Sequence, residues 1–538
     1  MKQIKLILPR YSTYCIFLFL LALSICFSFL YYLNGENILY ADTMSRLDIA
    51  RKVVDNLTPG FAQIGNVWLP LPQLLMIPFI WNNFLWHSGI AGALMSGTAF
   101  IIGGLYVYKS VKLLTNSFIS SLLSLCIYAL NINLLYLQAT AMSETLFLCT
   151  LAATIYYLLI WVKTNNIMYL IPAGLAVSAM TYTRYEGWSA LFASIPMIFF
   201  VAWIKNKSFA KSESSTVLFS TLAITGFIAW TIYLTLIFGD PLYWVHYYAS
   251  PAATGGAGKA VTHAYSQNKP FIAAVWEYFT SCVWMIGLIP MIFSMLGVVI
   301  LIIKSLWKRS LYVFPLLMPL AIFLFMILTL QRNTPIQQPN LTLASILSPD
   351  TSLGIGFNVR YGILLLPWVA IISSYLFNLF SFKPLRVFFY VLFSFFIGIQ
   401  IYSYFHMQYS VIYQIPALIY PKKDADLVNF MRCHYNGGEI LISAAGHEDQ
   451  MFEMGFDYKT YIHEGTGKYW KEEIDDPPHY ATWVVYDLGQ DVDQVAKYMK
   501  DPHRVAAMNR DFNLVFTGNK GLLKVYKIKK EPYFKIGA

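Results

Sequence analysis

Carboxylates that could carry acid–base chemistry stand at the borders of apolar stretches in this sequence. Asp42 begins the segment ADTMSRLDIARKVVDN, where it could serve as a general base toward a hydroxyl group. The alternative is that Asp42 only caps a helix, because Asp is a preferred N-cap residue. Glu144, in AMSETLF, is either a second carboxylate of the same site or a first-turn acid that complements the helix dipole.

Arginines at the same kind of border could bind phosphate, because a guanidinium group matches phosphate oxygens in a bidentate manner. Arg184 lies in TRYEGW and Arg360 in FNVRYG. The competing interpretations are a self-neutralising pair of Arg184 with Glu186, and snorkelling of Arg360 at a membrane interface. Arg332 and Lys259 are additional phosphate-binding candidates on loops. Candidates for binding the acceptor or substrate are Arg46, Asp48, Trp68, Tyr185, Glu186 and Asp240.

The sequence does not indicate a cofactor. It contains no HxH or HExxH spacing, no P-loop and no GxSxG motif. A divalent metal ion is still possible, because Asp42, Glu144 and His263 could meet in three dimensions.

The elements that must position these residues are membrane spans. Of the 538 residues, 57% are hydrophobic and only 12% are charged, which is typical of a polytopic helical membrane protein. The net charge of +10 comes from the apolar part, where Lys and Arg mark cytoplasmic ends, so a nucleic acid is not expected as a partner. With about 20 residues per span, the sequence predicts eleven spans: 13–33, 88–108, 117–136, 143–162, 167–183, 187–204, 216–238, 283–303, 311–330, 361–380 and 387–407.

The distribution of Lys and Arg predicts a cytoplasmic N-terminus for this multi-pass cell-membrane protein. The acidic residues then collect on the outer side, together with three long loops, 34–87, 239–282 and 331–360. In the first of these loops, apolar residues recur at helical spacing from Asp42 to Pro59-Gly60. We therefore predict a helix that lies on the membrane surface, with Asp42 at its leading end and aimed at the mouth of the bundle.

A change of composition divides the chain into a transmembrane part, residues 1–407, and a small extracytoplasmic α/β domain, residues 408–538. In the second part, DADLVNFMRCHY and DVDQVAKYMKD predict helices, and GEILISAA and ATWVVYDL predict strands. FNLVFTGNKGLLKVYKI predicts a hairpin that turns at Asn519-Lys520-Gly521.

Six segments, spread over most of residues 40–370, together resemble the GT-C glycosyltransferases: ADTMSRLDIARKVVDN, NVWLPLPQLL, AMSETLF, TRYEGW, FGDPLYW and FNVRYGILLLP. The first loop looks most like that of bacterial and archaeal members related to the dolichyl-phosphate-mannose protein mannosyltransferases and the aminoarabinose transferases of lipid A. The resemblance implies inverting transfer of a sugar from a polyprenyl-phosphate carrier to a hydroxyl of a lipid, glycan or protein on the outer face, in contact with membrane lipids. It also implies that Asp42 is the base or acceptor-binding residue and that Glu144 is the acid of the second outer loop.

Two other functional classes are consistent with a polytopic protein of this kind. One is a transporter or flippase for lipid-linked glycans, for which acidic residues near mid-membrane are typical. The other is a non-catalytic subunit of envelope assembly that uses the outer domain as a binding module.

Overall fold

The computed structural model describes residues 2–65, 67–244, 246, 270–308, 310–331, 359–379, 383–406 and 425–536. Arg332, Lys259 and His263 lie outside these residues, as does the predicted boundary between residues 407 and 408. The predicted fold class is confirmed: a polytopic helical membrane protein with a small C-terminal α/β domain.

The helices of the membrane part are numbered here in chain order through its described residues. They are α1 (Lys2–Leu33), α2 (Ala41–Val54), α3 (Leu71–Ile80), α4 (Asn83–His87), α5 (Ile90–Thr115), α6 (Phe118–Ala129), α7 (Ile132–Leu137), α8 (Glu144–Thr164), α9 (Leu170–Thr183), α10 (Glu186–Asn206), α11 (Phe209–Ala223), α12 (Thr225–Phe238), α13 (Phe271–Ile286), α14 (Leu288–Lys308), α15 (Val313–Leu317), α16 (Leu320–Gln331), α17 (Leu366–Leu379) and α18 (Lys383–His406).

Within the described residues, seven helical stretches are long and apolar enough to cross a membrane, or eight if α11 and α12, bent by 41°, form one span. Breaks between helices fall inside several of the predicted spans, and two of these breaks have a clear local cause. Segment 117–136 breaks before α7 because the Asn131 side chain accepts a hydrogen bond from the Leu134 amide and starts a new helix. Segment 283–303 breaks at Gly287, which takes a φ of 110° between α13 and α14.

The first-loop helix differs from the predicted surface helix in two respects. It ends at Val54, because Asp55 adopts an extended conformation (φ −137°, ψ 90°), and not at Pro59-Gly60. Its apolar positions Leu47 and Ala50 are buried as expected, but so are all of its charged residues except Asp42. Protein therefore covers much of the polar face of the helix as well as its apolar face. Its position along the membrane surface stays a prediction. The buried charged residues are Arg46, Asp48, Arg51 and Lys52.

The C-terminal domain is a five-stranded sheet flanked by short helices. Its strand order is β2-β1-β3-β5-β4, in which β1 pairs in parallel with β2 and β3, and the other pairings are antiparallel. The strands are β1 (Glu439–Leu441), β2 (Tyr461–Ile462), β3 (Ala481–Asp487), β4 (Phe512–Gly518) and β5 (Leu523–Ile528). The helices are α19 (Ala425–His434), α20 (Ala444–Met454), α21 (Lys468–Asp475), α22 (Gln494–Tyr498) and α23 (Pro502–Asp511).

The predicted hairpin, the strand over ATWVVYDL and the helix over DADLVNFMRCHY are confirmed by β4–β5, β3 and α19. The predicted strand GEILISAA is wrong in its second half, since α20 begins at Ala444. The Glu464 carboxylate accepts hydrogen bonds from the Ala444 amide (2.8 Å) and the Ser443 hydroxyl (2.5 Å), which stabilises the start of a helix there.

One apolar core joins this domain to the first loop of the membrane part. Leu47 and Ala50 of α2 and Trp86 of α4 pack in the same cluster as Met451 and Tyr458 of the C-terminal domain. The two parts of the chain therefore share a buried interface, which lies at the end of the bundle where α2 is found.

Candidate active site

Four of the predicted site residues come together from distant positions in the chain. Asp42 lies in the first turn of α2, Glu144 begins α8, Arg184 lies between α9 and α10, and Arg360 precedes α17. Their side chains form a continuous set of ion pairs. These helix ends must therefore lie at the same end of the bundle, as the alternation of the predicted spans requires.

Arg360 is the centre of this cluster. Its Nη2 donates to Asp42 Oδ2 at 2.5 Å, and its Nε lies 3.1 Å from Glu144 Oε1 in an ion pair that is not aligned for a hydrogen bond. The guanidinium group stacks over the Tyr40 ring, with its carbon 4.4 Å from the ring centroid. Its Nη1 is buried and has no hydrogen-bond partner among the described residues. Arg360 thus keeps one donor available to a ligand.

Arg184 is hydrogen-bonded at all three of its nitrogen atoms. Nη1 donates to Glu144 Oε1 (3.0 Å) and Ser143 Oγ (3.1 Å), while Nη2 and Nε donate to the two oxygens of Glu186 (2.7 and 3.2 Å). The pair with Glu186 that the sequence allowed is present, and it extends to Glu144. The arrangement suits Arg184 to holding the two buried carboxylates in place, and its role in binding phosphate stays a prediction.

Asp42 does not cap α2. The N-cap residue is Tyr40, and no side chain accepts the hydrogen bonds of the first turn, so the capping interpretation is wrong. The Asp42 side chain is 28% exposed, whereas that of Glu144 is 1% exposed. Of these two carboxylates, Asp42 is therefore the one that a substrate hydroxyl can reach. Its role as a base stays a prediction.

Arg46 lies one turn after Asp42 and is a buried cation with few partners. Its guanidinium carbon lies 4.4 Å from the ring centroid of Trp68. With the Gln73 amide in the orientation that satisfies both its oxygen and its nitrogen, the amide oxygen accepts a hydrogen bond from Arg46 Nη1 at 3.2 Å. Its Nε has no hydrogen-bond partner among the described residues. Burial lowers the pKa of Arg46 to about 10, although Glu144 and Asp42 favour the charged form. An anionic ligand would compensate this buried charge.

Two of the aromatic candidates support this region. Trp68 provides the ring on which Arg46 stacks. The Tyr185 hydroxyl donates to the Val67 carbonyl at 2.9 Å, and its ring stacks on Trp244 with the centroids 4.4 Å apart. The two residues thus hold the segment after α2 against the bundle.

Two acidic candidates do not join the ion-pair cluster. Asp48 accepts from Trp86 Nε1 at 3.1 Å, and burial raises its pKa well above the ordinary value. Asp240, just after α12, contacts His246 Nδ1 at 2.5 Å in a partly exposed pair. The structure does not bring either residue into contact with Asp42 or Glu144, and their roles in substrate binding stay predictions.

Sequence reasoning missed several residues that complete the site. Tyr40 and Tyr361 provide rings under Arg360, Ser143 accepts from Arg184, and Gln73 holds Arg46. Tyr361 and Ser143 stand directly beside a predicted residue in the chain and Tyr40 stands two positions from one, so closeness in sequence was a usable signal. Gln73 had none, because its contact depends on how the first loop folds back.

No group of three or more His, Cys, Asp or Glu side chains in the described part of the chain is arranged to hold a metal ion. The possibility of a metal that includes His263 falls outside the described residues.

Comparison with known proteins supports the resemblance. The family model described as dolichyl-phosphate-mannose-protein mannosyltransferase matches residues 82–234, a range that contains Glu144 and Arg184. ArnT from Cupriavidus metallidurans, solved with undecaprenyl phosphate bound, superposes with a TM-score of 0.51 and 8% identity, over 94% of this chain and 97% of that chain. The chain has a GT-C fold.

An oligosaccharyltransferase from Archaeoglobus fulgidus was also found, with TM-scores of 0.49 in a complex with zinc and sulfate and 0.48 in a complex with an inhibitory peptide and a dolichol-phosphate. Both are 11% identical to this chain, and they match over 95% and 97% of this chain and 73% and 75% of their own chains. A comparison with curated proteins found no match. The predicted resemblance to the GT-C glycosyltransferases is confirmed.

Proposed function

We propose that this protein is an integral membrane glycosyltransferase that moves a sugar from a polyprenyl-phosphate carrier to a hydroxyl acceptor. The observation that carries the proposal is the cluster at one end of the bundle, where an accessible carboxylate, Asp42, adjoins buried guanidinium donors. Two of these donors, Arg46 Nε and Arg360 Nη1, have no hydrogen-bond partner in the part of the chain that the structure describes. The family match supports the reaction class, and the undecaprenyl phosphate bound to ArnT supports the carrier class.

In the proposed reaction, Asp42 accepts the proton of the acceptor hydroxyl while that oxygen attacks the anomeric carbon of the sugar. The bond from this carbon to the phosphate oxygen breaks, and its electron pair leaves with the polyprenyl phosphate. Attack from the side opposite the leaving group inverts the anomeric configuration. The leaving group needs little help from an acid, because a phosphate oxygen carries negative charge readily.

The phosphate gains negative charge as this bond breaks, and donors already directed at it stabilise the transition state. Arg46 Nε and Arg360 Nη1 are suited to this role, because both are buried and unpaired among the described residues. Arg184 acts indirectly, since it holds Glu144 and Glu186. Glu144 in turn holds Arg360 through the 3.1 Å contact with its Nε.

The Asp42–Arg360 pair implies an order of binding. A donor phosphate that binds Arg360 Nη1 shares the charge of this guanidinium group with Asp42. Its arrival therefore weakens the Asp42–Arg360 pair and makes the carboxylate more available to the acceptor hydroxyl. We therefore expect ordered kinetics in which the lipid-linked donor binds before the acceptor. A polyprenyl phosphate without sugar should act as a competitive inhibitor toward the donor and should not compete with the acceptor.

The direct test uses purified protein in lipid nanodiscs with polyprenyl phosphate and its sugar-linked form. Binding of the lipid phosphate and release of the sugar to an acceptor, with inverted configuration, are expected. Absence of binding in a folded protein would refute the proposal. Binding without transfer to lipid, glycan or protein acceptors would instead favour a transporter of lipid-linked glycans.

We further propose that the site and the C-terminal domain face the extracytoplasmic side, with a cytoplasmic N-terminus. The support is the enrichment of Lys and Arg in the loops opposite the ion-pair cluster, such as Lys109 and Lys112 at the far end of α5 and Lys205 and Lys207 at the far end of α10.

A further inference from the structure

We infer that the C-terminal domain positions the candidate base, and that Glu448 is the residue through which it does so. This inference rests on the proposed function. Both carboxylate oxygens of Glu448, on α20, contact helix α2: Ser45 Oγ donates to Oε2 at 2.6 Å, and Lys52 Nζ donates to Oε1 at 3.2 Å. One side chain of the C-terminal domain thus binds two points on the helix that carries Asp42.

The spacing of these contacts divides α2 into two sides. Ser45 and Lys52 are seven residues apart, which places them on one face, two turns from each other. Asp42 and Arg46 are four residues apart on another side of the helix, where Asp42 pairs with Arg360 of the ion-pair cluster and Arg46 stacks on Trp68 of the first loop. A helix of 14 residues is rigid over this length, so a displacement of the Glu448 side is transmitted to Asp42.

Three further contacts hold the end of α2 and the loop after it against the same domain. Arg51 Nη2 lies 3.2 Å from Asp457 Oδ1. The Tyr458 amide donates to Asp55 Oδ2 at 3.0 Å, and the side chain of Gln63 donates to the Gly465 carbonyl at 2.8 Å. These contacts run from the last turn of α2 into the first loop, whereas Glu448 also reaches the beginning of the helix through Ser45, three residues after Asp42.

Docking of the domain alone would not require these polar contacts. The apolar core that includes Leu47, Ala50, Met451 and Tyr458 already favours association, but apolar contact is non-directional. Hydrogen bonds and ion pairs have defined geometry, so they set the rotation and axial position of α2. Lys52, whose side chain is only 10% exposed, is costly to bury and gains its compensation from Glu448.

The test is the variant Glu448→Gln in the full-length protein. The amide keeps the shape and can still accept from Ser45, but it loses the charge that binds Lys52. We expect kcat to fall by about tenfold or more, because small displacements of a reacting group are costly, while Kd for the lipid phosphate stays within about twofold. The matched control is Glu453→Gln, an equal charge change at an exposed position of the same helix, which should leave kcat unchanged.

A double-mutant cycle with Ser45→Ala separates positioning from docking. We expect the effects of the two substitutions on kcat to be non-additive. This coupling should exceed any non-additivity in their effects on the thermal unfolding midpoint. A lowered unfolding midpoint with kcat unchanged would show that Glu448 only docks the domain and would overturn the inference.

A second readout does not depend on activity. In an Asp42→Cys background, the rate of alkylation of this cysteine, followed by peptide mass spectrometry, reports its exposure. Glu448→Gln should change this rate and Glu453→Gln should not. If the parent protein transfers no sugar, the proposed function fails, yet this measurement still decides the positioning of α2. A rate that Glu448→Gln leaves unchanged would overturn the inference.

Discussion

Asp42 and Glu144 are two carboxylates in one cluster with different surroundings. Glu144 is enclosed and held by two arginines, whereas Asp42 has a single arginine partner and a side chain that is 28% exposed. A base must exchange a proton with a substrate, so accessibility favours Asp42. Glu144 is suited to orienting the two guanidinium groups.

Replacement of Asp42 by Asn tests the base directly. Asn keeps the side-chain shape but takes no proton, so we expect turnover to fall by roughly 10²-fold or more. The unfolding temperature should change little, because Asp42 does not cap α2. Steady-state kinetics and thermal unfolding of purified protein measure both effects, with the exposed Asp475→Asn as the control. Transfer near the parental rate would exclude Asp42 as the base.

Arg46 and Arg184 should respond differently to substitution. Arg46→Gln removes a cation whose Nε has no hydrogen-bond partner among the described residues. We expect the binding free energy of polyprenyl phosphate to weaken by about 1.5–3 kcal/mol, with stability preserved. Arg184→Gln leaves Glu144 and Glu186 buried without their cation, so it should lower the free energy of unfolding by about 3–5 kcal/mol. Lipid binding and thermal unfolding distinguish the two, and Arg510→Gln, on the exposed surface of α23, is the control. Equal loss of lipid affinity in both variants, with equal stability, would contradict this division of roles.

At the scale of elements, the segment Val359–Leu365 places Arg360 by packing closely on α13. A Cβ atom at Gly362 would overlap the backbone carbonyl of Ser281, so only glycine permits this approach. We expect Gly362→Ala to separate the two segments, lower the free energy of unfolding by about 1–3 kcal/mol and weaken lipid-phosphate binding by moving Arg360. Gly398→Ala in α18 is the control, since a Cβ atom there meets nothing within 4 Å. A fully stable Gly362→Ala protein with parental lipid affinity would refute this account of how Arg360 is placed.

The turn that follows β2 should make stability sensitive to acid. His463 Nδ1 accepts from the Gly465 amide at 3.0 Å, and burial, with Lys52 nearby, lowers the pKa of His463 well below 6.5. Below pH 6.5 this ring is protonated in the unfolded chain and stays neutral in the folded chain. The contribution of His463 to the free energy of unfolding is therefore complete above pH 6.5 and is lost as the pH falls below it. The expected slope from this group is at most about 1.4 kcal/mol per pH unit.

The measurement is the free energy of unfolding between pH 7.5 and 5, in parent and in His463→Gln, whose side chain does not titrate. The difference between the two slopes of unfolding free energy against pH isolates the contribution of His463 from those of other groups. One such group is Asp48, whose raised pKa changes this slope in the opposite direction. Equal slopes in the two proteins would contradict the prediction.

For the whole molecule, the shared core of the first loop and the C-terminal domain places both at one end of the bundle. The distribution of Lys and Arg then predicts that this end is extracytoplasmic. A reporter that is active only in the cytoplasm, fused after Tyr420, should therefore be silent, and the same reporter fused after Lys207 should be active. Activity after Tyr420 would reverse the predicted orientation.

Local patterns in the sequence determined the class of protein and many of its elements. Runs of apolar residues predicted the helical membrane part, a change of composition predicted the α/β domain, and turn residues at 519–521 predicted the hairpin β4–β5. The motifs around Asp42, Glu144, Arg184 and Arg360 also named the members of the ion-pair cluster. These features are readable because each depends on residues close together in the chain.

Only the tertiary structure decided which partner each of these residues has. Arg360 and Asp42 are 318 positions apart in sequence, and Ser45 and Glu448 are 403 apart. Such contacts also make Arg184 fully hydrogen-bonded and leave Arg46 Nε without a partner among the described residues, and they cover the polar face of α2. No local pattern encodes them, because periodicity reports which face of a helix is apolar and does not report what covers its polar face.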